Sequence, residues 1–175
     1  LKIADLGCGS GCIAIALAKH LPNSEVYAFD ISDDALAQTE ENAAHNGVNI
    51  NIRKADMREG LPEKTFFDII VSNPPYVRES EKSMMKPNVV EYEPYTALFV
   101  KDENPLEFYR SIASIAEYSL KENGKIYLET NEALCHETEL IFTSLNYETQ
   151  RGKDFFGKDR MLFARKKQTC TLPNR

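Results

Sequence analysis

The heptapeptide Asp5-Leu-Gly-Cys-Gly-Ser-Gly11 begins at the end of an apolar segment, residues 1–6, and is followed by the Ala- and Ile-rich segment Cys12–His20. This arrangement predicts a buried strand, a glycine-rich turn and a helix. Glycines at three alternate positions permit positive φ angles and let a ligand approach the main chain. Because the turn follows the carboxyl end of a strand, it predicts a ligand site at one edge of an α/β sheet.

The rest of the chain alternates strand and helix patterns, which favours an α/β sheet over a helix bundle or a sandwich. Ser32 is the expected N-cap of the second helix and Asn104 that of a later one, which should end at Asn123-Gly124. The second helix should run towards Asn46-Gly47, and a further helix is expected at 132–145. The other predicted strands are 25–30, 50–54, 67–72, 125–130 and 160–165.

Residues 77–103 have little periodicity, which predicts a long loop that binds a ligand or is disordered. Aromatic residues in and after this stretch are candidates for the lining of a substrate groove, namely Tyr92, Tyr95, Phe99 and Phe108. Core packing explains Phe99 and Phe108 equally well.

Composition excludes several classes of function. The chain has 175 residues, which suits one domain, and its 21 Lys and Arg against 27 Asp and Glu give a net charge of −6. That balance argues against a broad nucleic-acid surface. No apolar run reaches the ~18 residues of a membrane span. The four cysteines have neither disulfide-framework nor zinc-ligand spacing, so we expect no metal site and a reducing, cytoplasmic location.

The spacing of the glycine turn differs from the dinucleotide fingerprint. Gly-x-Gly-x-x-Gly would place its last glycine at Cys12, whereas Gly11 comes one residue early. Asp30 ends the second predicted strand, where a carboxylate can accept both ribose hydroxyls. Asp56 follows the third strand and can accept from an adenine amine, with Ile31 and Met57 on either side of the ring. The alternative is that Asp30 and Asp56 only cap turns.

Together these features resemble the Rossmann-like S-adenosylmethionine-dependent methyltransferases. The resemblance implies that cofactor, with Asp30 at the ribose and Asp56 with Met57 at the adenine, whose other face would meet Ile31. Asn73 would border the cofactor from the fourth strand. The turn residues implied to hold the methionine part are Asp5, Gly7, Cys8, Gly9, Ser10 and Gly11.

The tetrapeptide Asn73-Pro-Pro-Tyr76 follows the fourth predicted strand and suits a planar, weakly nucleophilic nitrogen. Two acceptors must hold the two N–H groups of such a nitrogen, so that its lone pair is directed at the methyl donor. Asn73 offers a side-chain oxygen, and Pro74 offers a carbonyl whose direction Pro75 restricts. Tyr76 offers a flat face for an amide or a base. Positioning of this kind can be worth ~7–11 kcal/mol.

This tetrapeptide, after that turn, resembles the peptide chain release factor glutamine methyltransferases, the HemK family. Further matches include Asp30-Ile-Ser32, Glu93-Pro94 with Ala97-Leu98, Glu129, and a closing hairpin with Gly157-Lys-Asp-Arg160. The sequence departs from the family at Thr130-Asn131, where a glycine is absent, and the form of that turn is left open. The resemblance implies a mostly parallel seven-stranded sheet with a C-terminal antiparallel hairpin.

The same resemblance implies methyl transfer to the glutamine amide of the Gly-Gly-Gln loop of a release factor. Asn73, Pro74 and Tyr76 would be catalytic, and these three with Pro75 would bind the substrate. The expected catalytic domain is residues 1–167, followed by a tail at 168–175. Since the chain opens without an initiator Met, we expect a fragment that lacks the family's N-terminal substrate-docking domain. We expect a monomer that contacts neither nucleic acid nor membrane.

Three alternatives are kept open. A ribosomal protein glutamine could be the target instead of a release factor. An Asn-Pro-Pro-aromatic motif also suits the exocyclic amine of a flipped adenine or guanine, so a nucleic-acid methyltransferase is the second. The third is a cofactor-binding module without activity of its own, which the intact Asn73–Tyr76 segment disfavours.

Overall fold

The structure is a computed structural model that describes residues 1–62, 64–84 and 94–167. Its strands are β1 (Lys2–Leu6), β2 (Glu25–Asp30), β3 (Asn51–Lys54), β4 (Phe67–Ser72), β5 (Val77–Arg78), β6 (Phe99–Val100), β7 (Leu120–Glu129), β8 (Tyr147–Lys153) and β9 (Asp159–Lys166). Its α-helices are α1 (Cys12–His20), α2 (Asp33–Asn46), α3 (Tyr95–Leu98), α4 (Glu107–Ser119) and α5 (Cys135–Ser144), and 3₁₀ turns cover Glu79–Met84 and Glu132–Leu134.

Seven strands form one sheet in the order β3-β2-β1-β4-β7-β9-β8. The first five run parallel to one another, and β9 pairs antiparallel with both β7 and β8. The predicted fold class, a mostly parallel seven-stranded sheet with an antiparallel C-terminal pair, is confirmed.

The strand order creates a switch point between β1 and β4. From β1 the chain builds β2 and β3 on one side and then crosses to place β4 on the other. Open α/β sheets bind ligands outside the carboxyl ends of the strands at such a point. Leu6 is paired with Ser72, so β1 and β4 end side by side.

Apolar residues cover both faces of the sheet. One cluster contains Ile112 and Phe142, and it joins α4 and α5 to the sheet. The other contains Ile3, Ala14 and Val26 on the side of α1. Because both faces are covered, the central strands are buried along nearly their whole length, as parallel strands require.

The predicted starts of the first two helices are right. Helix α1 begins at Cys12, and Ser32 caps α2 by accepting a hydrogen bond from the Ala35 N–H at 3.3 Å. The Asn104 cap is wrong, because α4 begins at Glu107 and the Asn104 Oδ1 accepts from Arg110 Nη1 at 2.7 Å instead. A side-chain partner in the first turns competes here with capping.

The later boundaries shift by a few residues. Helix α4 ends at Ser119, before the predicted Asn123-Gly124 stop, because β7 already begins at Leu120 and pairs there with Phe67. The predicted helix at 132–145 consists of a 3₁₀ turn followed by α5.

The stretch 77–103 is more ordered than the expected loop where the structure describes it. Strands β5 and β6 pair in parallel, Val77 with Phe99 and Arg78 with Val100, which brings the two ends of the stretch together. Residues 85–93, with Tyr92 and Glu93, and the predicted tail at 168–175 lie outside the described residues. In the part that is described, no helix is both long and apolar enough to cross a bilayer.

Candidate active site

The glycine turn has the left-handed main chain that its sequence predicts. Gly7, Gly9 and Gly11 have φ angles of 71°, 55° and 79°. The N–H groups of Gly7 and Cys8 both donate to the Phe29 carbonyl, at 2.8 and 3.0 Å, so the end of β2 holds the turn in place. A Cβ on Gly11 would come within 2.7 Å of Thr39, which leaves no room for a side chain there.

Helix α2 supports this turn with two side chains that the sequence analysis missed. Thr39 Oγ1 donates to the Gly9 carbonyl at 2.9 Å, and Asn42 Nδ2 donates to the Ser10 carbonyl at 2.9 Å. Thr39 is fully buried, although threonine on a helix usually faces solvent. The signal in the sequence that could have identified Thr39 is a polar residue at a position of α2 that faces the core.

Asp30 lies at the end of β2 and borders the cleft described below. Its Oδ2 accepts from the Gly9 N–H and its Oδ1 from the Ser32 N–H, both at 2.9 Å. Asp30 therefore caps this turn, and its binding of a ribose in addition stays a prediction. A carboxylate has about four lone-pair sites, so each oxygen can accept one further hydrogen bond from a ligand.

Asp56 is bound to Arg58. The Arg58 Nη2 lies 2.6 Å from Asp56 Oδ2, and the Arg58 N–H donates to Oδ1 at 2.9 Å. The guanidinium lowers the pKa of Asp56 and keeps it ionised. Ile31 and Met57 line the cleft with Asp56, and the Met57 methyl would lie 3.0 Å from a Cβ on Gly7.

Asp5 occupies a different environment from Asp30. It is 1% exposed, its Oδ2 accepts from the Ala14 N–H at 3.0 Å, and its Oδ1 has no hydrogen-bond partner among the described residues. Burial raises the pKa of Asp5 to about 7. It holds the start of α1 and is not among the residues that line the cleft.

The Asn73–Tyr76 segment leaves β4 next to the glycine turn. Asn73 is exposed and lines the cleft, and its carboxamide has no hydrogen-bond partner among the described residues. Pro75 also lines the cleft, whereas Pro74 is buried. An open carboxamide at this point leaves an acceptor oxygen available to an incoming N–H group.

Tyr76 is fixed at both ends. Its hydroxyl donates to Glu129 Oε1 at 2.7 Å, and its carbonyl accepts from Asn131 Nδ2 at 3.0 Å. Burial and the Glu129 carboxylate raise the pKa of this phenol to about 12. Tyr76 does not line the cleft, so contact between its ring and a substrate amide stays a prediction.

One cleft of about 560 Å³ connects these strand ends, a size that suits a cofactor. It joins Gly7, Gly9 and Asp30 to Asn73, so the expected meeting of the β1 and β4 ends is present. The predicted site residues that do not line it are Asp5, Cys8, Ser10, Gly11, Pro74 and Tyr76.

The outer wall of the cleft comes from residues 77–103, for which the sequence predicts a long loop, and from the start of α4. Tyr95 and Phe99 line it together with Phe108 of α4, and Glu79, Lys101 and Glu107 add charged groups. Phe99 is also buried, so core packing and cleft lining are both true of it. No group of three His, Cys, Asp or Glu residues among those described is arranged to hold a metal ion.

Known proteins share both the sequence pattern and the fold. The family model described as the methyltransferase small domain matches residues 1–91, just over half of the chain. A release factor glutamine methyltransferase of Flavobacterium psychrophilum is 48% identical over 93% of this chain and 57% of its own length. One from Bacteroides thetaiotaomicron is 45% identical over 93% and 59%. The chain thus spans somewhat under three fifths of these relatives.

Solved structures with lower identity share the fold. A ribosomal protein L11 methylase from Lactobacillus delbrueckii subsp. bulgaricus superposes with a TM-score of 0.69 at 23% identity, over 96% of this chain and 71% of that one. A TehB-like SAM-dependent methyltransferase from Corynebacterium glutamicum has a TM-score of 0.61 at 16% identity, over 95% and 80%.

The predicted class of enzyme and its cofactor agree with these comparisons. The match to a methyltransferase domain and the relatives named as methyltransferases confirm S-adenosylmethionine as the cofactor of the class. With the model match over residues 1–91 and the relatives above, the chain belongs to the methyltransferase small domain family.

Proposed function

We propose that this chain transfers a methyl group from S-adenosylmethionine to the side-chain amide nitrogen of a glutamine in peptide chain release factors. The target is the glutamine of the Gly-Gly-Gln loop that the family resemblance implies. Relatives at 45% and 48% identity named release factor glutamine methyltransferase support this substrate. We assign the activity to residues 1–167. We further propose that the protein acts as a monomer on its release factor partner in the cytoplasm.

The observation that carries the proposal is the open carboxamide of Asn73 on the wall of the cleft that also contains the glycine turn and Asp30. An oxygen without partners within the protein has both of its lone pairs available to a substrate. Asn73 meets this condition among the described residues, whereas Asp30 and Asp56 are already bound to protein groups. Asn73 therefore faces the substrate and the acids face the cofactor.

The residues of the donor side fit S-adenosylmethionine, which when bound supplies an electrophilic methyl group. A Cβ on Gly9 would meet no atom within 4 Å, so this glycine opens its main chain to the cleft. Asp30 keeps one lone pair on each oxygen for the ribose hydroxyls. Ile31 and Met57 offer apolar surfaces to the adenine, and Asp56 offers a carboxylate to its amine.

The residues of the acceptor side orient the glutamine amide. Asn73 Oδ1 would accept one N–H, and the carbonyl of Pro74, which is buried beside the cleft, would accept the other, which would direct the nitrogen lone pair at the methyl group. The nitrogen–carbon bond forms as the carbon–sulfur bond breaks, and the methylated nitrogen then loses one proton to solvent. No strong base is needed, and positioning of the two partners lowers the barrier.

A labelling experiment tests this function. The intact protein is incubated with methyl-labelled S-adenosylmethionine and, in separate reactions, with a release factor, the same factor with its Gly-Gly-Gln glutamine replaced by alanine, ribosomal protein, RNA and DNA. We expect label on the unaltered release factor only. Label on RNA or DNA would overturn the proposal and indicate methylation of the exocyclic amine of a base. Label on ribosomal protein would show that a ribosomal protein, and not a release factor, is the substrate.

A further inference from the structure

The turn after β7 holds the Asn73–Tyr76 segment from outside the cleft. Glu129 accepts the Tyr76 hydroxyl, and Asn131, two residues later, donates to the Tyr76 carbonyl. Tyr109 lies behind the turn: it is fully buried, its hydroxyl donates to the Glu129 carbonyl and accepts the Asn131 N–H, both at 3.3 Å. The turn is therefore anchored in the core and can act as a fixed support.

Asn131 uses every polar atom of its carboxamide. Its Oδ1 accepts from the Ala133 N–H at 2.9 Å and so caps the Glu132–Leu134 turn. Its Nδ2 donates to the Tyr76 carbonyl at 3.0 Å and to Glu81 Oε2 at 3.1 Å. The residue is 7% exposed, and buried polar groups with all their partners fix one arrangement of the chain around them.

Glu81 extends this connection to the outer wall of the cleft. It accepts from the main-chain N–H of Arg78 at 2.9 Å and from Arg78 Nη2 at 3.0 Å. It belongs to the 3₁₀ turn Glu79–Met84, whose first residue lines the cleft. Asn131 thus joins the end of β7 to two consecutive segments about 50 residues earlier in the chain, the residues directly after β4 and the first part of the outer wall.

We propose that Asn131 is a positioning residue for methyl transfer. Its Nδ2 donors fix the main chain at Tyr76, and this sets the direction of the Pro74 carbonyl and of the Asn73 side chain. The inference rests on the proposed function, because it assigns a role in that reaction.

Two substitutions separate the positioning role from capping. Asn131→Asp keeps an oxygen for the Ala133 N–H and is an equally good cap, but it removes both donors. Asn131→Ala removes the cap and the donors together. Asn104→Asp controls for an added charge at an exposed site, where an oxygen accepts from Arg110. Asn131→Ala adds no charge, so an equal loss in both Asn131 variants excludes repulsion between an aspartate and Glu81 as the cause.

Three measurements on the intact protein test the positioning role of Asn131. They are kcat for methyl transfer to the release factor, calorimetric affinity for S-adenosylmethionine, and hydrogen exchange of the amides at 76–82. We expect Asn131→Asp and Asn131→Ala to lower kcat by roughly 10- to 100-fold, the scale of a small misplacement. Cofactor affinity should stay within about twofold, exchange at 76–82 should accelerate, and Asn104→Asp should match the wild type.

Other outcomes overturn the inference. Wild-type kcat in Asn131→Asp with a loss in Asn131→Ala would reduce Asn131 to a cap. A loss of cofactor affinity equal to the loss of kcat would show general damage to the fold. If the wild type transfers no methyl group to the release factor, the proposed function fails. Hydrogen exchange of the amides at 76–82 then still tests whether Asn131 holds this segment. Unchanged exchange in both variants would refute the positioning role.

Discussion

The two walls of the cleft differ in how their polar groups are used. On the cofactor wall, Asp30 accepts from Gly9 and Ser32. The Gly9 carbonyl in turn accepts from Thr39. On the substrate wall, Asn73 has no partner among the described residues, although its neighbour Tyr76 is tied at both ends.

This difference fits the two tasks. A cofactor pocket benefits when its main chain is fixed before binding, because less ordering is then required on binding. A group that holds a reacting amide must keep its acceptor free until the substrate arrives. The contacts that hold Tyr76 restrict the main chain beside Asn73 but leave the Asn73 side-chain oxygen unoccupied, so this wall meets both requirements.

Removal of the free acceptor tests the substrate wall most severely. Asn73→Ala should lower kcat by the equivalent of about 2.7–4 kcal/mol, the cost of losing one preorganised partner of the transition state. Asn73→Asp retains an oxygen acceptor and should lose less. Steady-state methylation of a release factor measures both, and turnover near wild type in Asn73→Ala would remove Asn73 from the mechanism.

Removal of the ribose acceptor tests the cofactor wall. Asp30→Ala should weaken S-adenosylmethionine binding by about 1.5–3 kcal/mol per lost charge-assisted hydrogen bond. Its thermal unfolding should remain cooperative, because the sheet on either side does not depend on this carboxylate. Calorimetry gives the affinity, and an unchanged value would refute the ribose assignment.

Two glycines of the same turn separate a packing requirement from a ligand requirement. Gly11→Ala places a Cβ 2.7 Å from Thr39, whereas a Cβ on Gly9 meets nothing within 4 Å. We expect Gly11→Ala to unfold more easily than Gly9→Ala by about 1–3 kcal/mol, the cost of overpacking. Gly9→Ala should instead lose cofactor affinity.

Both variants carry the strain of a side chain at positive φ, so their difference isolates the Thr39 contact. Chemical denaturation and calorimetry on the pair measure the two effects. Equal stabilities would contradict the packing account of Gly11, and full affinity in Gly9→Ala would contradict the approach of a ligand to this main chain.

The smallest effect concerns Asp5. Its folded pKa, about 7, lies above the ordinary value of 3.8, so the folded state binds a proton more tightly than the unfolded state. The resulting stability is present at low pH and is lost as the pH rises through about 7. Between pH 6 and 8 this loss amounts to about 1.4 kcal/mol, one pKa unit in free energy.

Asp5→Asn removes the titrating group, so its free energy of unfolding should change less over this pH range than that of the wild type. Asp34→Asn, at an exposed position of α2, serves as the control and should keep the wild-type slope. Parallel slopes in Asp5→Asn and the wild type would contradict the raised pKa.

The cofactor wall was predictable because each of these residues lies at the end of a strand or within two residues of it. Gly7, Asp30 and Asp56 could be placed by counting along the chain, since parallel strands bring their carboxyl ends to one edge. The fold class followed from the same alternation of elements and from the family resemblance.

The supports were not predictable, because they depend on contacts between residues distant in sequence. Thr39 reaches Gly9 across 30 positions and Asn131 reaches Tyr76 across 55. The order of the strands decides both contacts, and periodicity does not contain that order. The Asn104 cap failed for a local reason, since its side chain binds Arg110.

The most direct test of the account is a crystal structure of the intact protein with S-adenosylhomocysteine and a glutamine peptide. The account predicts the adenosyl group between the glycine turn and Asp30, and the amide nitrogen of the peptide within about 3.2 Å of Asn73 Oδ1, the limit of an N–H···O hydrogen bond. An adenosyl group away from the turn, or a glutamine amide bound elsewhere than at Asn73, would contradict it.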